Sequence, residues 1–216
     1  MIFRILVTIF LLTASFSASA QDEEIQCVRI KNFSVEERNK NYPFNKASRI
    51  VFASFKEDLT KLSDEQIKKL IKQNKLELDK KGEIESFRHG SIFKLYFDEL
   101  KNDFSAYDAD CFDEKIDLDE DQLNEFTDLI FNFGTTIKQL GSRGSGCYIP
   151  RNAILFFDEN RQLFAFIEIC FQCNAYSASN KNISLNNECY KKLYILKEQF
   201  LKAGIKYGII NERQPN

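Results

Sequence analysis

The chain has 216 residues, with 30 Lys and Arg against 32 Asp and Glu, a formal net charge of −2, and is 44% hydrophobic and 13% aromatic. The near-neutral charge lacks the basic surplus of an electrostatic nucleic-acid binder, and eight Gly with three Pro exclude collagen-like and Pro/Gly-rich disordered chains. A single His excludes every mechanism that needs two, while 21 Phe and 8 Tyr supply ample core material.

Residues 1–20 read as a secretory signal peptide. Arg4 supplies the positive start, Ile5 to Leu12 a short apolar run, and Ala18-Ser19-Ala20 the small-residue cleavage site. The apolar run is too short to cross about 30 Å of hydrocarbon as a helix, and no later run reaches the ~18 residues a second span needs. No Cys directly follows the cleavage site, so no lipid anchor is indicated. Residues 21–216 are expected to form a single globular domain, secreted or periplasmic, with no transmembrane segment.

Ile25 to Ile30 has strand character, and Arg49 to Phe55 (RIVFASF) is a stronger strand. Ser63 to Gln66 matches a capping box, followed by Ile67, Leu70 and Ile71 at helical spacing, which predicts a helix over 64–73. Lys75 to Ser86 alternates around a Lys-Gly turn and predicts a hairpin. Ser91 to Leu100 fits strand or helix. A second box, Asp119 to Gln122, predicts a helix over 120–131 with Gly134 as its stop. Gly141 to Gly146 reads as a flexible loop.

The best hairpin runs from Tyr148 to Phe157, turns over Asp158–Arg161 and returns from Gln162 to Phe171. Both faces of the return strand are largely apolar, which places the pair in the middle of a sheet. Asn174 to Asn187 reads as a polar loop. A helix from about Glu188 to Lys202 carries Cys189, Leu193, Leu196 and Phe200 on one stripe and ends at Gly204, and Ile205 to Ile210 would close the sheet. The sum is an α+β fold, a largely antiparallel sheet with a C-terminal hairpin and helices packed on one face, stapled by disulfides.

Six cysteines, Cys27, Cys111, Cys147, Cys170, Cys173 and Cys189, are the disulfide candidates of an exported chain. Hairpin register brings Cys147 near Cys173. Cys170 and Cys173 fall on opposite sides of a regular strand and would take different partners, with Cys189 the natural candidate for one of them. Two alternatives stay open. The C-x-x-C at 170–173 could be a thiol–disulfide redox pair, although the sequence that follows has loop and not helix composition. Cys147, Cys170, Cys173 and Cys189 could instead form a zinc site, against which an oxidising compartment works.

The stretch from Cys147 to Asp158 (CYIPRNAILFFD), with Ile167 to Cys173 (IEICFQC) and the Gly204–Gly208 tail, resembles a motif of uncharacterised exported bacterial proteins. The resemblance covers about the last 70 residues. It implies no activity, but it implies that Cys170, Cys173 and Cys189 belong to one local structure.

His89 has no nucleophile motif beside it, and Gly141–Gly146 lacks the Lys and spacing of a phosphate loop. Asp108 to Asp121 holds eight acids in fourteen residues, and Asp117, Asp119 and Asp121 mimic a calcium loop. Gln122 stands where that loop needs Gly and Asp128 where it needs Glu, so a solvated stretch leading into a helix start is the simpler reading. Glu168 interrupts an apolar strand, and register nominates Arg151 as its ion-pair partner. Asn32 and Asn182 lie in glycosylation sequons. No catalytic residue, metal ligand or cofactor is assigned. The chain reads first as an exported binding protein without chemistry, with an unidentified protein or small molecule as partner and no nucleic acid.

Overall fold

The computed structural model describes residues 27–56, 60, 62–73, 76–87, 92–136, 148–186, 189 and 191–209. Residues 1–20, expected to be a signal peptide, together with His89, residues 141–146 and Cys147, lie outside the described residues. In chain order the elements are β1 (Val28–Arg29), α1 (Val35–Asn39), β2 (Arg49–Ser54), α2 (Asp64–Lys72), β3 (Leu76–Leu78), β4 (Ile84–Phe87), α3 (Ile92–Asn102), β5 (Glu114–Asp117), α4 (Glu120–Asn132), β6 (Phe133–Gly134), β7 (Asn152–Phe157), β8 (Leu163–Cys170), β9 (Ala175–Ala178) and α5 (Lys192–Ala203). No helix among the described residues is long and apolar enough to cross a membrane.

The fold is α+β. Five strands form one antiparallel sheet in the order β5-β2-β7-β8-β9, with the β7–β8 hairpin inside it. On one face Ile50, Phe52, Ile154, Phe156, Ile167 and Ile169 meet Phe126 and Ile130 of α4 and Leu196 and Phe200 of α5. On the other, Val51, Phe55, Leu155 and Phe166 meet Tyr96, Phe97 and Leu100 of α3, with Cys111 and Phe112 beside them. The expectation of helices on one face is therefore corrected: α3 covers the second. Strands apolar on both sides need cover on both sides. That need also resolves Ser91–Leu100 as helix, because Tyr96, Phe97 and Leu100 then share one face.

The capping boxes at Ser63/Gln66 and Asp119/Gln122 both form, and a third at Ser34/Glu37 opens α1. Gly204, at φ 105°, caps α5. The strand expected over 205–210 is absent from its described part: residues 207–209 form a turn, and Ile205 and Ile209 drop into the α4–α5 core. A Cβ on Gly208, at φ 74°, would stand 2.5 Å from Asn152 Oδ1. The polar loop expected over 174–187 instead begins with β9, a half-buried edge strand.

The hairpin register also differs. Asp158 N–H donates to Gln162 O at 3.0 Å, leaving three residues in the loop, and Arg161 takes φ 61°. A bulge between Phe156 and Phe157 adds a second offset, so Ala153 and not Arg151 stands opposite Glu168. Two one-residue offsets restore the same faces while moving every cross-strand pair.

Two buried cations fasten the outer segments to α4. Arg38, 3% exposed, pairs with Asp128 at 2.9 Å and hydrogen-bonds Asn124, while Arg29 reaches the other Asp128 oxygen at 2.6 Å. The Lys192 ammonium donates to the carbonyls of Leu185 and Asn186, both at 2.7 Å, and Ile130 at 3.3 Å. Ile130 lies in the last turn of α4, where carbonyls left over by the helix favour a cation.

Phe200 stacks on Phe52 with centroids 3.9 Å apart and is fully buried. Phe200→Ala is expected to cost about 3–5 kcal/mol in urea unfolding, and Val35→Ala, at a 44% exposed position, under about 0.5 kcal/mol. Burial disfavours the Asp128 charge, but hydrogen bonds from Arg29 and Asn132 and the Arg38 charge outweigh it and hold the carboxyl below its usual range. That stability is present above the ordinary carboxylate range of about 4 and is lost as pH falls through the depressed folded value. Asp128→Asn should therefore destabilise the protein at pH 7, with the deficit closing below pH of about 4 in unfolding curves taken across pH.

Candidate functional site: the Cys170–Cys173 turn and buried Glu168

β8 runs as a nearly unbroken apolar strand because it is internal to the sheet, and its end carries the unusual chemistry. Glu168 and Cys170 are two residues apart, so both face the α3 side, about 7 Å apart along the strand. Cys170 pairs in register with Ala175, and the chain reverses over 171–174 with Asn174 at φ 48°. This reversal brings Cys173 back onto Cys170, and the two form a disulfide with Cα atoms 5.2 Å apart. Cys170 is buried and Cys173 half-buried. The Cys173 N–H donates to Cys170 Sγ at 3.2 Å. β9 and not a helix follows, so this turn has no helix N-terminus to favour a thiolate, and the Cys173 N–H is the backbone donor at Cys170 Sγ.

Glu168 is 2% exposed. Its Oε1 accepts from Lys101 Nζ at 3.0 Å, and the same ammonium donates to Ser177 Oγ at 3.1 Å. Its Oε2 has no hydrogen-bond partner. The Tyr148 hydroxyl donates to the Glu168 carbonyl at 3.1 Å. Burial pushes the Glu168 carboxyl above its usual range, against the pull of Lys101. Burial, with Glu168 nearby, likewise pushes the Tyr148 hydroxyl up.

The expected Arg151–Glu168 pair is corrected. Arg151 donates to the side chain of Gln172 at 2.8 Å, and Lys101 on α3 takes the carboxylate. The sequence signal for Lys101 was its place four residues after Phe97, on the buried face of α3, readable only once that segment is taken as helix.

The cysteine pairing is corrected too. Cys170 and Cys173 bond to each other, and Cys189 bonds to Cys27 across 162 positions. The three cysteines grouped by the resemblance are thus divided between two bonds. Cys111 is buried against α3. With Cys170, Cys173 and Cys189 held in disulfides, the four-thiolate zinc set does not assemble. Among the described residues no group of three or more His, Cys, Asp or Glu side chains converges as a metal site.

The acidic stretch is spent on structure. Asp108 and Asp119 cap helical turns, Asp113 accepts from Lys56 N–H at 2.6 Å, and Asp117 pairs with Arg49. Glu114 accepts from Ser54 Oγ at 2.6 Å and from the backbone N–H of Tyr207 at 3.0 Å. Asn32 and Asn182 are both exposed. A concavity of about 300 Å³ lies beside edge strand β5, lined by Phe44, Ile50, Leu118 and Leu123 together with Arg49 and Asp117.

No protein family model, curated protein or solved structure matches this chain.

The two bonds differ in what they do for folding. On a chain-entropy account, closing the long Cys27–Cys189 loop is worth about 5 kcal/mol, and closing the four-residue Cys170–Cys173 loop about 2 kcal/mol. Cys27→Ser with Cys189→Ser should lower the urea midpoint far more than Cys170→Ser with Cys173→Ser.

Proposed function

We propose that the chain is an exported protein whose Cys170–Cys173 disulfide exchanges with external thiols, within a scaffold held closed by Cys27–Cys189. The observation that carries this reading is the pairing itself: the C-x-x-C closes on its own turn, with the half-buried sulfur outward and the buried sulfur under an N–H donor. The signal-like first twenty residues and the disulfides support export.

The chemistry balances with a dithiol reductant. Its thiolate attacks Cys173 Sγ, the Cys170–Cys173 bond breaks, and Cys170 leaves as a thiolate that the Cys173 N–H stabilises. The reductant's second thiolate then attacks its own mixed-disulfide sulfur and releases Cys173. The reductant ends as a disulfide and the protein as a dithiol, with two protons taken up when both thiols are neutral.

Binding without chemistry is the second reading. It is favoured by the 300 Å³ concavity, whose largely polar lining around Arg49 and Asp117 suits a small polar molecule.

Exposing the folded, exported protein to a millimolar dithiol, quenching with an alkylating agent and taking the intact mass tests the first reading. Two alkyl groups beyond those of the same protein without dithiol are expected, and no such increase in Cys170→Ser/Cys173→Ser. Opening of Cys170–Cys173 only after denaturant is added would overturn it.

A further inference from the structure

We propose that Glu168 sets the proton affinity of Cys170: the Glu168 carboxylate and the Cys170 thiolate share one water-poor space and exclude one another's ionisation. This deepens the exchange reading and rests on it for its biological meaning.

The geometry carries the coupling. Both groups lie on the α3 face of β8, at successive inward positions, and both residues are 2% exposed. While the disulfide is intact, Cys170 has no proton to lose, and the carboxylate answers only to its own neighbours. From α3 these are Lys101, in contact at 3.0 Å, and Asp98, itself 3.8 Å from Lys101. From the segment before β7 it is the Tyr148 phenol, and from β9 the Ser177 hydroxyl. One cation, Lys101, therefore serves the acid, helped by the neutral Ser177 hydroxyl.

Opening the disulfide places a second acid in that space. A buried thiolate about two strand positions from a carboxylate is repelled with little water to screen it. The single Lys101 ammonium, 27% exposed at its side chain, is already committed to Glu168. So the pair titrates as a unit, with one negative charge tolerated well and two poorly. In the exchange step, the proton that neutralises leaving Cys170 is therefore taken up more readily while Glu168 is ionised. Departure of Cys170 and the reverse oxidation both pass through its thiolate, so both are slowed by the same charge. Glu168 is thus a positioning residue acting through charge, and it favours the protonated over the ionised form of Cys170 whenever that sulfur is reduced.

The test uses a background in which exchange plays no part. In full-length Cys173→Ser, Cys170 is a thiol, and its ionisation is read from thiolate ultraviolet absorbance across pH, with Cys170→Ser/Cys173→Ser as the blank. Adding Glu168→Gln should move the Cys170 midpoint down by about one pH unit or more. Adding Asp98→Asn, whose side chain is 44% exposed, should move it by much less. Circular dichroism at each pH confirms that the variants are folded, and Glu168→Asp should restore most of the upward displacement. Unchanged or raised midpoints in folded Glu168→Gln would overturn the coupling. A normal displacement in this background, together with a wild-type disulfide inert to dithiol, would overturn the exchange reading and leave the coupling standing.

Discussion

The central sheet is apolar on both sides, and most of the structure follows from that constraint. β2, β7 and β8 carry Ile, Val, Leu and Phe at consecutive positions and not at alternate ones. Such strands are stable only when each face is covered. α4 and α5 cover one face and α3 the other, with phenylalanines as the main filler: Phe52 on Phe200 in one layer, Phe97 on Phe166 in the other. The charged residues caught between layers are then obliged to find partners. Arg38 finds Asp128, Lys192 finds three carbonyls, and Glu168 finds Lys101.

Glu168 is the exception in this set. The other buried charges fasten segments that would otherwise hang loose: Arg38 holds the start of the chain and Lys192 the loop before α5. Glu168 sits within a strand that the sheet already holds on both sides by β7 and β9. Its carboxylate is incompletely satisfied, and a hydrophobic residue there would pack against Phe97 and Phe166 with less desolvation. A buried acid beside a C-x-x-C turn accords with the sulfur chemistry proposed for that turn.

Much of this was legible in the sequence. Capping boxes are local, so Ser63/Gln66 and Asp119/Gln122 mark the starts of α2 and α4; the equivalent Ser34/Glu37 box opens α1, which runs only five residues and carries no apolar periodicity to accompany it. The two-faced hairpin announced the sheet's interior. Its register was hidden, because an αL residue at Arg161 and a bulge at Phe156/Phe157 leave no strong local signature. The Arg151–Glu168 expectation inherited that offset, whereas the Cys147–Cys173 expectation failed because the chain reverses over 171–174 and closes Cys173 onto Cys170. Long-range partners were hidden for a different reason. Cys27 with Cys189, and Lys101 with Glu168, are brought together by packing of whole layers, which spacing along the chain does not encode.

On the proposed exchange reading, the two disulfides among the described residues divide the labour: Cys27–Cys189 closes the fold and Cys170–Cys173 exchanges. Equilibrating the folded protein in dithiol buffers of graded potential, then alkylating and mapping each cysteine by peptide mass, tests it directly. The expected result is that Cys170–Cys173 opens at a less reducing potential than Cys27–Cys189, with far-ultraviolet circular dichroism unchanged across the first step. Both bonds opening together, at the potential where the fold is lost, would contradict it.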